Sequence, residues 1–228
     1  MTRVLVLIAI LKRQSVSTGL INLLGTMGVT VLGYHVVPKQ TDPDQARRRY
    51  EERAIDALED IAEEFRQAGG EADFQLVFTH SRKQTIQRVA DETDSQAFAI
   101  PETTGPIKRL LVPPSGNIAT DRVLSFVVEL IGDRDIDVTL FLVSKDEADE
   151  AQERLDTAAE LLTEHGIDVR RILETDTTPF AGLIDAVAGH DAIVMGEQAP
   201  SFRSLLFGDE TERIATESVG PVLVVRRN

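Results

Sequence analysis

Gly196 closes an apolar run, DAIVMG, and Gly208 opens a helical pattern, GDETERIATES, ahead of the apolar segment PVLVV. Glycines at strand-to-helix turns let backbone N–H groups close around a phosphate, and a helix N-terminus adds partial positive charge. Ser201 and Ser204, between the two glycines, could donate hydroxyl hydrogen bonds, and Arg203 could offset charge. Asp209, at the start of the helix, works against all of this. An aspartate there accepts hydrogen bonds from the free N–H groups and stabilises the helix by roughly 1 kcal/mol. It also repels a phosphate, by roughly 4 kcal/mol for unit charges about 4 Å apart at an effective dielectric of about 20. Capping is the favoured role for Asp209. Arg203 or a bound cation would be needed to reverse it.

The elements that must carry this loop follow a regular order. RVLVLIAI, VTVLGYHVV, DFQLVFT and QAFAIP read as strands, separated by the helical patterns STGLINLLGTM, DQARRRYEERAIDALEDIAEEFRQAGG and SRKQTIQRVADET. In the long helix Ile55, Leu58, Ile61 and Phe65 recur at helical spacing, and Gly69 and Gly70 end it. The order then restarts with KRLLVPP, DVTLFLVS, VRRILET, DAIVMG and PVLVV as strands and helices between them. Short apolar strands alternating with helices of this length predict βαβ units in a doubly wound parallel sheet. RVLVLIAI aligns with RLLVPPSG, and QAFAIPE with DAIVMGE. A repeat of that period marks duplicated domains rather than a solenoid. The boundary falls in ETTGPIK, dividing the chain into residues 1–104, with four strands, and 105–228, with a fifth strand and an extra helix.

Composition limits the functional classes. The net charge is −14, and 42% of residues are hydrophobic. That charge opposes binding to nucleic acid or to anionic membrane surfaces. Of the 24 basic residues 19 are arginine and 5 lysine, set against 38 acids. An acidic, lysine-poor surface suits a salt-loving organism, where salt screens carboxylate repulsion. With no cysteine, disulfides and thiolate metal sites are ruled out. The apolar run in MTRVLVLIAILKRQ is far shorter than the roughly 20 residues needed to span a bilayer, so a cytoplasmic protein that is not membrane-embedded is expected.

RLLVPPSGN, DAIVMGEQ and GPVLVVRR, in that order and spacing, resemble the first, fourth and closing strands of the universal stress protein family. The resemblance implies an α/β fold of two tandem, Rossmann-like (adenine nucleotide alpha hydrolase-like) domains, the first truncated. ATP-binding members share an aspartate after the first strand and a Gly-x2-Gly-x9-Gly-Ser/Thr loop after the fourth. Here Gly196 and Gly208 match the outer glycines, Ala199 replaces the middle one, and Pro200 to Phe207 is one residue short. Asp209 stands in place of the hydroxyl residue and Ser115 in place of the aspartate. Val143, at the end of the second strand of this half, is placed to touch an adenine or to serve as core. In the first half Ala9 aligns with Ser115 and Pro101 with Gly196, and Pro101 has no N–H to offer. The family also implies association through the last strand, Val222, Leu223, Val224 and Val225, as a homo-oligomer or as a pseudo-dimer of the two halves.

Other chemistry is sparse. His35, His80, His165 and His190 lack metal-ligand spacing and suit surface or helix-end positions, so no metal is expected. PPSGN lacks the frame of a nucleophile elbow, and SKDEADEAQERLD lacks the order of a calcium loop. The expectation is a non-enzymatic regulatory or stress-response module with a degenerate nucleotide site. It would act through protein partners such as a transporter, with no firmly required cofactor. Two alternatives stand beside it. One is an ATP or AMP sensor using Gly196, Ser201, Ser204 and Gly208; the other is a slow hydrolase in which Asp209 holds magnesium.

Overall fold

A computed structural model describes residues 2–10, 15–40, 42–114, 117–197 and 220–227. The chain divides into two compact units, Met1–Thr103 and Thr104–Asn228. Among the described residues no helix is long and apolar enough to cross a membrane.

The first unit runs β1 (Arg3–Ala9), α1 (Thr18–Leu24), β2 (Gly28–Val36), α2 (Pro43–Gln67), β3 (Glu71–Thr79), α3 (Arg82–Glu92) and β4 (Ala97–Ile100). Its strands lie in the order β3-β2-β1-β4. All of these pairings are parallel. Val4, Leu5 and Val6 at the centre of β1 are wholly buried, as expected of a strand covered on both faces. Leu58, Ala62 and Phe65 form the buried stripe of α2. The helix starts are capped by side chains: Ser17 accepts from the Leu20 N–H, and Ser81 from the Gln84 N–H. Gly69, at φ 105°, reverses the chain after α2, where a side chain would be strained.

The second unit runs β5 (Arg109–Val112), α4 (Asn117–Ile131), β6 (Asp137–Val143), α5 (Ala148–Glu164), β7 (Val169–Glu174), α6 (Pro179–Val187), β8 (Ala192–Gly196) and β9 (Val222–Val225). The strand order is β9-β8-β5-β6-β7, again all parallel. Thr178 caps α6 by accepting from the Ala181 N–H. The helical pattern GDETERIATES lies outside the described residues.

The amino-terminal ends of the second unit's strands are held by Asp191. Its carboxylate accepts from the backbone N–H groups of Lys108 and Arg109, each at 2.9 Å. Its carbonyl accepts from the Thr104 hydroxyl at 3.3 Å. Gly220 passes directly over this turn, where an added Cβ would lie 2.1 Å from the Asp191 carbonyl oxygen. With one end fixed in this way, the opposite, carboxyl-terminal ends are where a parallel sheet of this kind presents a site.

Candidate functional site

In the second unit, β6 and β8 flank β5, and they end at Val143 and Gly196. Val143 is half-buried and Gly196 fully buried. Beyond Gly196 the chain is tied to the end of β9. The Glu197 N–H donates to the Val225 carbonyl at 2.9 Å, and the Glu197 carboxylate accepts from the Arg227 N–H at 3.3 Å. The Arg122 guanidinium donates to the Arg227 carbonyl, and Arg226 is buried beside it in sequence. Gly196 is thus pinned between the ends of β8 and β9. Ser115, Ser201, Arg203, Ser204, Gly208 and Asp209 lie outside the described residues, so Val143 and Gly196 are the candidate nucleotide residues that the structure locates. Val222, Leu223, Val224 and Val225 form β9, paired with β8 and buried within the single chain.

The ladder registers extend the comparison of the two units residue by residue. Arg3 pairs with Gly28 in the first unit and Arg109 with Asp137 in the second, which makes Tyr34 the counterpart of Val143. Val4 pairs with Ala97 and Leu110 with Ala192, which makes Pro101 the counterpart of Gly196. Tyr34 is buried and is covered by Arg82, whose guanidinium carbon stands 5.3 Å from the ring centroid. Arg82 is the first residue of α3, and that helix has no acid in its first turn. A cation at the positive end of a helix is unfavourable, and the electron-rich ring face offsets this. The Arg82 Nε is buried with no hydrogen-bond partner among the described residues, consistent with packing on the ring. Beside it, the Thr85 hydroxyl donates to the Thr79 Oγ1 at 2.8 Å, and the Ser81 N–H donates to the same oxygen at 3.1 Å. The first unit therefore fills with its own side chains the position that Val143 leaves half-open in the second. This pair escapes a reading based on short motifs. Its signal in the sequence is the repeat itself, which through the second strand sets Tyr34 of YHVV against Val143 of DVTLFLV.

The four histidines are spread over both units. His35 meets Tyr50 and Phe78 edge-on, and the His80 Nδ1 lies 3.3 Å from the Val37 carbonyl. The His165 Nδ1 lies 2.8 Å from the Leu161 carbonyl, at the end of α5. His190, just beyond α6, is the most constrained of them. Its Nδ1 meets the Ala186 carbonyl and its Nε2 the Thr139 hydroxyl, both at 2.8 Å. Partial burial pushes its pKa below the usual histidine value. The Ala186 hydrogen bond and Asp191 oppose that shift, while Arg109 and Arg170 add to it. Among the described residues no group of three or more His, Asp or Glu side chains could hold a metal ion.

Comparison with known proteins accords with this architecture. A universal stress protein from Archaeoglobus fulgidus DSM 4304 superposes with a TM-score of 0.70 at 18% identity, over 99% of this chain and 96% of that one. A putative universal stress protein from Pseudomonas aeruginosa UCBPP-PA14 gives 0.53 at 15% identity, over 99% and 93%. The cytoplasmic domain of a prokaryotic cation chloride cotransporter gives 0.51 at 11% identity, over 98% and 94%. At such identities these likenesses establish the fold. No curated protein matches the sequence significantly. The family model described as "Universal stress protein family" matches residues 106–226, more than half of the chain, and on that match the chain belongs to the universal stress protein family.

Proposed function

We propose that this protein is a non-enzymatic regulatory module of the stress response, built from two duplicated domains, the first truncated, and working through a protein partner. The observation that carries this reading is the Arg82–Tyr34 stack, which occupies in the first unit the position of Val143. Together with Pro101, which has no N–H to offer at the counterpart of Gly196, it supports a first unit that binds no nucleotide. In the second unit the departures at Ser115, Ala199 and Asp209 point the same way. The fold shared with a cotransporter's cytoplasmic domain supports a transporter as the kind of partner, by analogy of fold alone. The acid-rich, lysine-poor surface is taken as an adaptation to a salt-rich cytoplasm.

A second reading is favoured by Gly196, held where the chain leaves β8 and is tied to the end of β9: an ATP or AMP sensor confined to the second unit. Calorimetric titration with ATP and AMP, with and without magnesium and at low and high salt, separates the two. The regulatory-module reading expects dissociation constants weaker than about 100 μM, or roughly −5.5 kcal/mol, under every condition. Tighter binding would establish the sensor. Magnesium-dependent turnover abolished by Asp209→Ala would establish the hydrolase instead.

A further inference from the structure

β3 is an open sheet edge. It ends the strand order of the first unit, and among the described residues β2 is its single strand partner. The Thr79 carbonyl accepts from the Val37 N–H at 2.8 Å, so the odd-numbered residues of β3 turn their backbone groups toward β2. Alternation directs the N–H and C=O groups of Ala72, Phe74, Leu76 and Phe78 away from the sheet. Arg66 holds the Ala72 carbonyl, its Nε donating at 2.9 Å. Among the described residues no side chain caps Phe74, Leu76 or Phe78 in the same way. We infer that this edge pairs with the same edge of a second copy of the chain, the two β3 strands running antiparallel about a two-fold axis at Leu76.

Composition separates β3 from the edge strand of the second unit. β7 reads VRRILE, with Arg170, Arg171 and Glu174 all exposed. Exposed charges of this kind block edge-to-edge pairing. In β3 the stretch FQLVFT, Phe74 to Thr79, has no charge, glycine or proline. Uncharged segments of this length and β-propensity are the ones that recruit another strand. Phe74, Leu76 and Val77 are also left half-buried, whereas Val4 to Val6 in the central strand β1 are wholly buried.

The register and the charges select a second copy as the occupant. Centred on Leu76, antiparallel pairing sets Leu76 opposite Leu76 and Phe74 opposite Phe78 as hydrogen-bonded pairs, so each uncapped backbone group finds a partner. Centring one residue earlier would set Phe78 against Ala72, whose carbonyl Arg66 already holds. Leu76 and Phe78 pack with Val37, Ala46 and Tyr50 on the face covered by α2, and Phe74 shares that face by alternation. The cross-strand neighbours there are apolar on both sides. On the opposite face Asp73 meets Thr79 and Gln75 meets Val77, so no like charges are opposed. The acidic start of each strand, Glu71 and Asp73, comes alongside the basic pair Arg82 and Lys83 that follows the other. The net charge of −14 on each copy opposes the approach, and salt relieves that repulsion.

Sedimentation equilibrium of the full chain in potassium chloride tests the pairing. The expected result is a monomer–dimer equilibrium, tighter at about 1 M than at about 0.1 M salt. Val77→Lys puts two like charges on diagonal positions beside the axis and should weaken the dimer about tenfold or more. The chain has no cysteine, so Leu76→Cys supplies a single reporter that does not depend on that variant's fold. Opposed residues of a hydrogen-bonded pair lie about 5.5 Å apart between Cα atoms, within disulfide reach. Oxidation should link Leu76→Cys chains into covalent dimers. Glu71→Cys, roughly 33 Å from its copy along the paired strands, should stay unlinked. A monomer at about 100 μM protein in about 1 M salt, a dimer undiminished by Val77→Lys, or equal linking at both positions would each overturn the inference. The edge would then be left to a strand of another protein.

Discussion

Arg82 lies over Tyr34 with its guanidinium carbon 5.3 Å from the ring centroid, at the place in the first unit that Val143 holds in the second. The stack closes the end of β2 from within the unit and relieves a cation placed at the start of α3. Arg82→Ala removes the stack and exposes the ring, for an expected loss of roughly 0.5–1 kcal/mol in denaturant unfolding. Because Pro101 still offers no N–H, the same variant should gain no affinity for ATP. A variant that bound ATP in its first unit would show that the arginine alone had closed a working site.

Much of the fold was legible in the sequence because the strands are covered on both faces. Val4 to Val6 and Leu110 to Val112 must be apolar in succession, and that requirement keeps both copies of the repeat recognisable. The ladders give Pro101 and Gly196 the same equivalence that the aligned segments QAFAIPE and DAIVMGE do. What the sequence did not reveal are contacts made by single polar side chains across long separations. Arg82 meets Tyr34, Asp191 meets the N–H groups of Lys108 and Arg109, and His190 meets Thr139. Each obeys no periodicity and becomes visible only once the strands are in register. His190 was expected at a surface or a helix end; it does stand beyond the last turn of α6, but its second nitrogen reaches β6.

Gly220 passes close over the Asp191 carbonyl, and the two residues predict two unequal variants. Asp191→Ala leaves two backbone donors without their carboxylate, an expected cost of about 1.5–3 kcal/mol. Gly220→Ala would place a methyl group 2.1 Å from a carbonyl oxygen, so the chain entering β9 must shift. Its cost should be about 1–3 kcal/mol or more. Hydrogen exchange should show the loss first at the β8–β9 ladder, Ile193 to Gly196. Unchanged protection there in Gly220→Ala would mean that the approach relaxes freely.

The salt dependence of stability tests the reading of composition. A net charge of −14 destabilises the compact state through self-repulsion, and the Debye length falls from about 10 Å at 0.1 M salt to about 3 Å at 1 M. Thermal unfolding followed in potassium chloride should show the midpoint rising across that range. A flat or falling midpoint would mark an ordinary acidic protein rather than one adapted to salt.

His190 predicts the direction of a pH effect in the second unit. Partial burial holds its pKa in the folded chain below the ordinary value of about 6.5 that it regains on unfolding. The unfolded state therefore takes up the proton first. Stability should be level above about pH 6.5, decline as pH falls below it, and level off again once the folded form is also protonated. Arg109 and Arg170 face the ring and add to the penalty, while Asp191 and the Ala186 carbonyl offset part of it. Thr139→Val removes the hydroxyl from Nε2 and should cost roughly 1 kcal/mol at neutral pH. His190→Gln keeps a polar side chain but no titration. The difference in unfolding free energy between wild type and His190→Gln, measured by urea denaturation from pH 7.5 to 5, should therefore shrink as pH falls. A difference that stays constant would show that His190 titrates alike in both states, and that its bonds to Ala186 and Thr139 are indifferent to its charge.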